Sequence, residues 1–289
     1  MLTFAERVPL LSGYADWFAS LLFFLTSHTV DNDLRDDPQQ CERCRALTAP
    51  LPRVGCQCSR YYSPMRHVHY GEAFTKAVAL ARHGEGRRSA SGGDGATGRH
   101  RGVLGVLMCH FDFFLNVRIF HGAAFHLPWL PRRGQVIFSG GDLPVPRCFP
   151  VANDTLFRDD KSWFWFENAK ELCRACVEKL GGSECCYGWA DILYIPTPLM
   201  RVYGEYLAAF PKVHHEVAVP TAMRLLATRH NVTPRALSCN GGTIGRMHNE
   251  RFAPIGQPRT APGFCAHRLN LTHAGHRDLV SRMLHERWR

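Results

Sequence analysis

Ten side chains with soft-metal chemistry crowd into two short windows of a 289-residue chain. The first window holds Cys41-Glu42-Arg43-Cys44, then Cys56-Gln57-Cys58, then His67-Val68-His69. The second holds Leu172-Cys173-Arg174-Ala175-Cys176, followed by Cys185-Cys186. Two cysteines separated by two residues form a knuckle that holds both sulfurs toward one point, and further thiolates or imidazoles complete the tetrahedral set Zn2+ prefers. Cys41, Cys44, one of Cys56 and Cys58, and one of His67 and His69 therefore predict one structural zinc site. Cys173, Cys176 and one of Cys185 and Cys186 predict most of a second. Adjacent cysteines share an ion only with strained geometry, so one of that last pair is expected to go elsewhere. Thiolate-rich sets close around the ion, whereas a catalytic zinc keeps one position open for water.

Other chemistry is sparse. The sequence carries no Gly-rich phosphate loop, nucleophile elbow or helical His-Glu-x-x-His motif. Cys109, His110, His121, His126 and Cys148 are irregularly spaced and read as core packing. His214-His215-Glu216 opens a segment read as a strand, where consecutive side chains face opposite ways, so the two histidines are not expected to act together. A thiol redox enzyme needs an exposed cysteine of low pKa, and nothing in the pattern points to one. The reading is a protein structured by metal and not an enzyme.

The elements that must position these groups follow from composition and period. A hydrophobic content of 45% with 21% charged residues is ordinary for a chain that buries a core. The fold class expected is α+β: a zinc-organised single globular body with a small N-terminal cysteine-rich module. Residues 1–83 would hold that module, 84–102 a disordered Gly/Ser/Arg insertion without large apolar residues, and 103–289 the main body. Ser12 to Leu25 reads as a buried helix. Its apolar stretch from Trp17 is too short for the ~20 residues that span a bilayer, and no small-x-small cleavage site follows it. Three Asn-x-Thr acceptors, at Asn153, Asn231 and Asn270, do not outweigh that. The cysteines are therefore read as reduced and intracellular.

Helical spacing covers Tyr70 to Ala81 and again Ser162 to Leu180, the latter ended by Gly181-Gly182. Leu199, Val202, Tyr203, Tyr206, Leu207 and Phe210 form a complete amphipathic stripe. Arg118 to Phe120, Gln135 to Phe138 and His215 to Val219 read as strands, Thr221 to His230 as a short basic helix, and Arg277 to Arg289 as a basic amphipathic helix. The net charge of +10 permits contact with nucleic acid or an acidic protein surface. The arginine-rich runs at 82–101 and 259–289 lack interleaved aromatics and read as solvated.

With both windows placed, the order of motifs resembles the adenovirus early region 4 34K protein family. The matching residues are Cys56-Gln57-Cys58-Ser59 with Gly71, then Phe114-Leu115-Asn116-Val117-Arg118-Ile119-Phe120, then the Pro-led stretch Pro131 to Ser139. The most specific match is Leu172-Cys173-Arg174-Ala175-Cys176 with Cys185-Cys186. The resemblance spans roughly Cys41 to Cys186, the insertion excluded. It implies a viral early adaptor that joins host elongins B and C and a cullin-RING ubiquitin ligase. It also implies work with a viral early region 1B 55K-like protein to degrade host proteins, and support for late viral message export, in the host nucleus and cytoplasm. No membrane is implied.

Elongin C recognition in that family uses a short box: an apolar residue, usually Leu, four positions before a Cys, and an aliphatic residue four after it. Here Leu143 and Leu180 each fall five before a cysteine. Ala261-Pro262-Gly263-Phe264-Cys265, with Leu269 beyond, has the spacing without the Leu. The family's Arg-rich helix after the Cys-Cys pair is also absent. Leu199, Val202, Tyr203, Tyr206 and Leu207 are the candidates to replace it as a partner-binding face, alongside the Arg277–Arg289 helix. A basic, zinc-stabilised nucleic-acid regulator of viral messages is the alternative, with binding that falls steeply with salt.

Overall fold

The computed structural model describes residues 4–16, 21–25, 38–51, 53–58, 105–109, 113–115, 136–139, 147–152, 164–188, 190, 192–232, 234–237, 265–267 and 274–285. In chain order the elements are α1 (Phe4–Leu11), a 3-10 turn (Ser12–Asp16), β1 (Leu21–Leu25), α2 (Pro38–Thr48), β2 (Val54–Cys58), β3 (Gly105–Cys109) and β4 (Phe113–Leu115). There follow β5 (Val136–Ser139), β6 (Arg147–Pro150), α3 (Phe164–Lys179), β7 (Glu184–Tyr187), β8 (Ile192–Pro196) and a second 3-10 turn (Thr197–Leu199). The chain closes with α4 (Met200–Ala208), α5 (His215–His230), β9 (Pro234–Leu237), β10 (Cys265–His267) and α6 (Ala274–His285). Helices with several small sheets make this an α+β protein. The expected insertion at 84–102, the helix at 70–81 and the strand at 118–120 lie outside the described residues.

Two compact units divide these elements. In the first, β1 and β2 pair in parallel, with Leu21 opposite Val54 and Leu25 opposite Cys58. Parallel neighbours cannot be joined by a tight hairpin, and α2 lies between them in sequence as the crossover. The helix expected over Ser12 to Leu25 is corrected here to a 3-10 turn followed by a strand. A short apolar run carries no period that separates the two, and pairing with β2 decides it. The C-terminal helix α6 belongs to this unit and buries Val280 and Leu284, four residues apart on one face.

The second unit centres on β8. The strand order β3-β8-β5-β9 places β8 between two neighbours, and all of Ile192-Leu193-Tyr194-Ile195-Pro196 is buried. A strand covered on both faces reads as a continuous apolar run and not as an alternation. β8 is antiparallel to β5, which is parallel to β9. A separate antiparallel pair joins β6 to β7, with Cys148 opposite Cys186.

Beside that pair stand α3 and α5. Ala169, Cys173 and Val177 recur every four residues on the buried side of α3. The helix stops at Gly181, whose φ of +66° suits a residue without Cβ, and Gly182 donates its N–H to the Val177 carbonyl at 2.8 Å. This turn delivers the chain straight into β7.

The strand expected at His215 to Val219 and the short helix after it are one helix, α5, despite Pro220 inside it. Proline lacks the N–H that would bond the carbonyl four residues earlier, which ordinarily breaks a helix. Here that carbonyl, on Glu216, accepts a hydrogen bond from Gly188 N–H at 2.9 Å. The strand β7 thus supplies, through the residue just beyond it, the donor that Pro220 lacks. His214 caps the N-terminus through Nδ1, which accepts from Glu216 N–H at 3.3 Å. Asn231, left-handed at φ 52°, closes the other end.

Candidate functional site

In the first cysteine window, Cys41 and Cys44 are not on a loop knuckle but three apart on α2, over β2. Cys44 is fully buried and disulfide-bonded to Cys56 on β2, with Cα atoms 6.0 Å apart. Cys41 is disulfide-bonded as well. Cys58 ends β2 opposite Leu25; its side chain, like His67 and His69, lies outside the described residues.

In the second window the cysteines part company. On β7, Cys185 and Cys186 leave opposite faces, as consecutive strand residues must. Cys185 bonds to Cys173 on α3, with Cα atoms 6.1 Å apart. Cys186 bonds across the sheet to Cys148 on β6. Cys148, which the sequence reading assigned to core packing, is therefore the missing partner of the Cys-Cys pair. Cys176 is outside any disulfide. The expected set of Cys173, Cys176 and Cys185 or Cys186 is thus divided among two disulfides and one thiol. Among the described residues, no group of three or more His, Cys, Asp or Glu side chains is arranged to hold a metal ion. The reading of all cysteines as reduced is also corrected, since Cys41, Cys44, Cys56, Cys148, Cys173, Cys185 and Cys186 are all bonded.

Thr221 of α5, fully buried, organises the space between these sulfurs. Its hydroxyl accepts from Cys186 N–H at 2.9 Å and donates to the Cys186 carbonyl at 3.1 Å. It also lies 3.6 Å from Cys173 Sγ. With both backbone groups of Cys186 turned to α5, Cys148 and Cys186 oppose each other without exchanging backbone hydrogen bonds. That is the pair type whose side chains approach most closely.

Along the outer edge of α3 runs a second arrangement. Leu172, 45% exposed, is the one large apolar side chain left exposed among the described residues. Cys176 and Leu180 follow at four and eight residues, both half-buried. Residues so spaced share a helix edge, and Leu180 N–H bonds the Cys176 carbonyl at 3.1 Å, carrying the helical turn past Lys179. Burial pushes the Cys176 thiol above its ordinary value, against an opposing pull from Lys179. The Leu180 carbonyl, an orphan at the helix end, accepts from the Arg229 guanidinium. Arg229 sits 5.9 Å from the centre of the Tyr206 ring, and the Tyr206 hydroxyl lies 3.2 Å from His230 Nε2.

This Leu-x3-Cys-x3-Leu spacing escaped the sequence reading. Leu180 lies five residues before Cys185 but also four after Cys176. The signal was present as Leu172, Cys176 and Leu180.

The amphipathic stripe on α4 is spent largely inside its own unit. Tyr203, Tyr206, Leu207 and Phe210 are buried, while Leu199 and Val202 are half-buried. His214 and His215 do not diverge as on a strand: their ring centres are 4.3 Å apart at the start of α5. No protein-family model matches the chain, and no curated protein matches it at a significant level.

Proposed function

We propose that the chain is a non-enzymatic adaptor of the adenovirus early region 4 34K kind. In this reading it couples host elongins B and C, and through them a cullin-RING ubiquitin ligase, to host proteins. It acts with a viral early region 1B 55K-like protein in the host nucleus and cytoplasm, and favours late message export. The observation that carries this reading is the edge Leu172–Cys176–Leu180, which has the box spacing on a formed helix with its first residue in solvent. A helix edge of this kind docks by laying its anchors into an apolar groove. Leu172 would fill a pocket, Cys176 would behave as a small apolar group, and Leu180 would extend the contact. The alternative nucleic-acid reading draws only on the net charge of +10.

The zinc expected of such a protein would draw on the first window only after reduction. Cys44 and Cys56 are bonded to each other between α2 and β2, with Cys41 one turn before Cys44 on α2 and itself bonded, so those disulfides would have to open and the thiolates rearrange before they could share a structural Zn2+ ion. Cys185 and Cys186 point to opposite faces, so the second window does not supply a set for one ion.

Titration of the full chain with purified elongin B–elongin C complex tests the docking role. Burial of a leucine contributes about 1.5–3 kcal/mol, so Leu172→Asp is expected to weaken binding more than tenfold while near-ultraviolet circular dichroism stays native. Wild-type chain that does not bind, or a Leu172→Asp variant that binds equally well, refutes the assignment.

A further inference from the structure

We propose that Cys176 is the exchange thiol for the Cys173–Cys185 disulfide, and that this exchange switches off the docking edge of α3. The consequence depends on the docking role given above; the exchange itself depends only on the placement of Cys173 and Cys176 on α3 and of Cys185 on β7. Cys173 and Cys176 are one turn apart on α3, a separation of ~5 Å between Cα atoms in helical geometry, within the range a disulfide spans. Pairing them would call for a local tightening toward 3-10 geometry, which eclipses residues three apart. Cys173 and Cys185 are fully buried, which shields their bond from bulky external thiols. Cys176, one helical turn from Cys173 and half-buried, is outside any disulfide.

The step balances without an added oxidant or reductant. Cys176 gives up its S–H proton and its sulfur bonds to Cys173 Sγ. The Cys173–Cys185 bond breaks, its electron pair leaves on Cys185, and Cys185 takes up a proton. Two structural changes follow. The middle anchor of the docking edge is drawn toward the buried side of α3, and α3 loses its covalent tie to β7. The Cys148–Cys186 bond, on the opposite face of β7, is left in place.

Arg174 lies between the two helix cysteines and makes the exchange readable. Full-length protein is equilibrated in glutathione buffers of graded ratio, alkylated and cut with trypsin. The original bond links the peptide 171–174 to the peptide 180–201, and the exchanged bond links 171–174 to 175–179. Binding to the elongin B–elongin C complex is measured on the same samples. The expected result is a bound fraction that falls as the second linkage rises. Cys185→Ser, which leaves Cys173 and Cys176 to pair with each other, is expected to bind more than tenfold more weakly when oxidised and to recover on reduction. A 171–174/175–179 linkage that never forms overturns the exchange. Its formation without loss of binding overturns the switch. If the originally bonded chain binds no elongin complex, the docking role fails, and the switch with it, while the peptide map still decides the exchange.

Discussion

Replacing Thr221 with valine isolates the contribution of one hydroxyl at nearly constant volume. The side chain is fully buried and satisfies both the N–H and the carbonyl of Cys186. Valine leaves both backbone groups buried without those partners, and each such loss costs about 1–3 kcal/mol. Removing the hydroxyl returns roughly 1 kcal/mol, since its own burial was unfavourable. The net expectation is a destabilisation of about 1–5 kcal/mol, or a melting temperature lower by roughly 3–15 °C for a unit of this size. Thr221→Ser keeps both hydrogen bonds and loses one methyl group, about 1 kcal/mol. Thermal unfolding of the three proteins in parallel gives the comparison, and hydrogen exchange at the Cys186 amide reports the site directly. The reasoning is refuted if the valine variant melts within ~0.5 kcal/mol of wild type, or if serine is as damaging as valine.

Two further substitutions probe other parts of the molecule. In Gly182→Ala the added Cβ would stand 2.6 Å from Leu225 Cδ2 and 3.0 Å from Val177 Cγ1. Overpacking of this sort costs about 1–3 kcal/mol, so the urea midpoint should fall, and an unchanged midpoint would show that the turn yields freely. In the first cysteine window, protein reduced with a non-chelating phosphine should take up about one Zn2+ per chain, tight enough to compete with a chromophoric chelator. Cys44→Ser should abolish that uptake; a reduced wild-type chain that takes up none would remove zinc from the account.

What could be seen in the sequence was what depends on near neighbours. The periods of α3, α4 and α6 lie within their own residues, and β5 is a short β-branched and aromatic run closed by Ser139-Gly140-Gly141. The strand β1 could not be told from a helix, because Leu21 to Leu25 is apolar at every position and only pairing with β2 settles it. The residues of α5 read as a strand at 215–219 and a helix at 221–230, and what makes them one helix across Pro220 is an N–H on Gly188, distant in sequence. The clustering of cysteines was visible; their partners were not. Which face of β7 each of Cys185 and Cys186 takes depends on the register with β6, and that register made Cys148 a partner. The edge formed by Leu172, Cys176 and Leu180 was legible in principle, since all three lie within one helix and its closing turn.

The hydrogen bond from Gly188 to Glu216 sets a sequence of events during synthesis. Chains emerge from the ribosome at ~5–20 residues per second, so β7 is made ahead of α5 by a time of order seconds. On its own, the segment of α5 would fray at Pro220, with Glu216 exposing a bare acceptor. It becomes a continuous helix when it closes on a strand already present. The nascent chain therefore has β7 waiting as a template beside β6 and α3, its remaining side uncovered until α5 arrives, and in that interval its cysteines are less enclosed. Enzymes that oxidise, reduce or metallate nascent thiols would have their access then, and the arrival of α5 would end it.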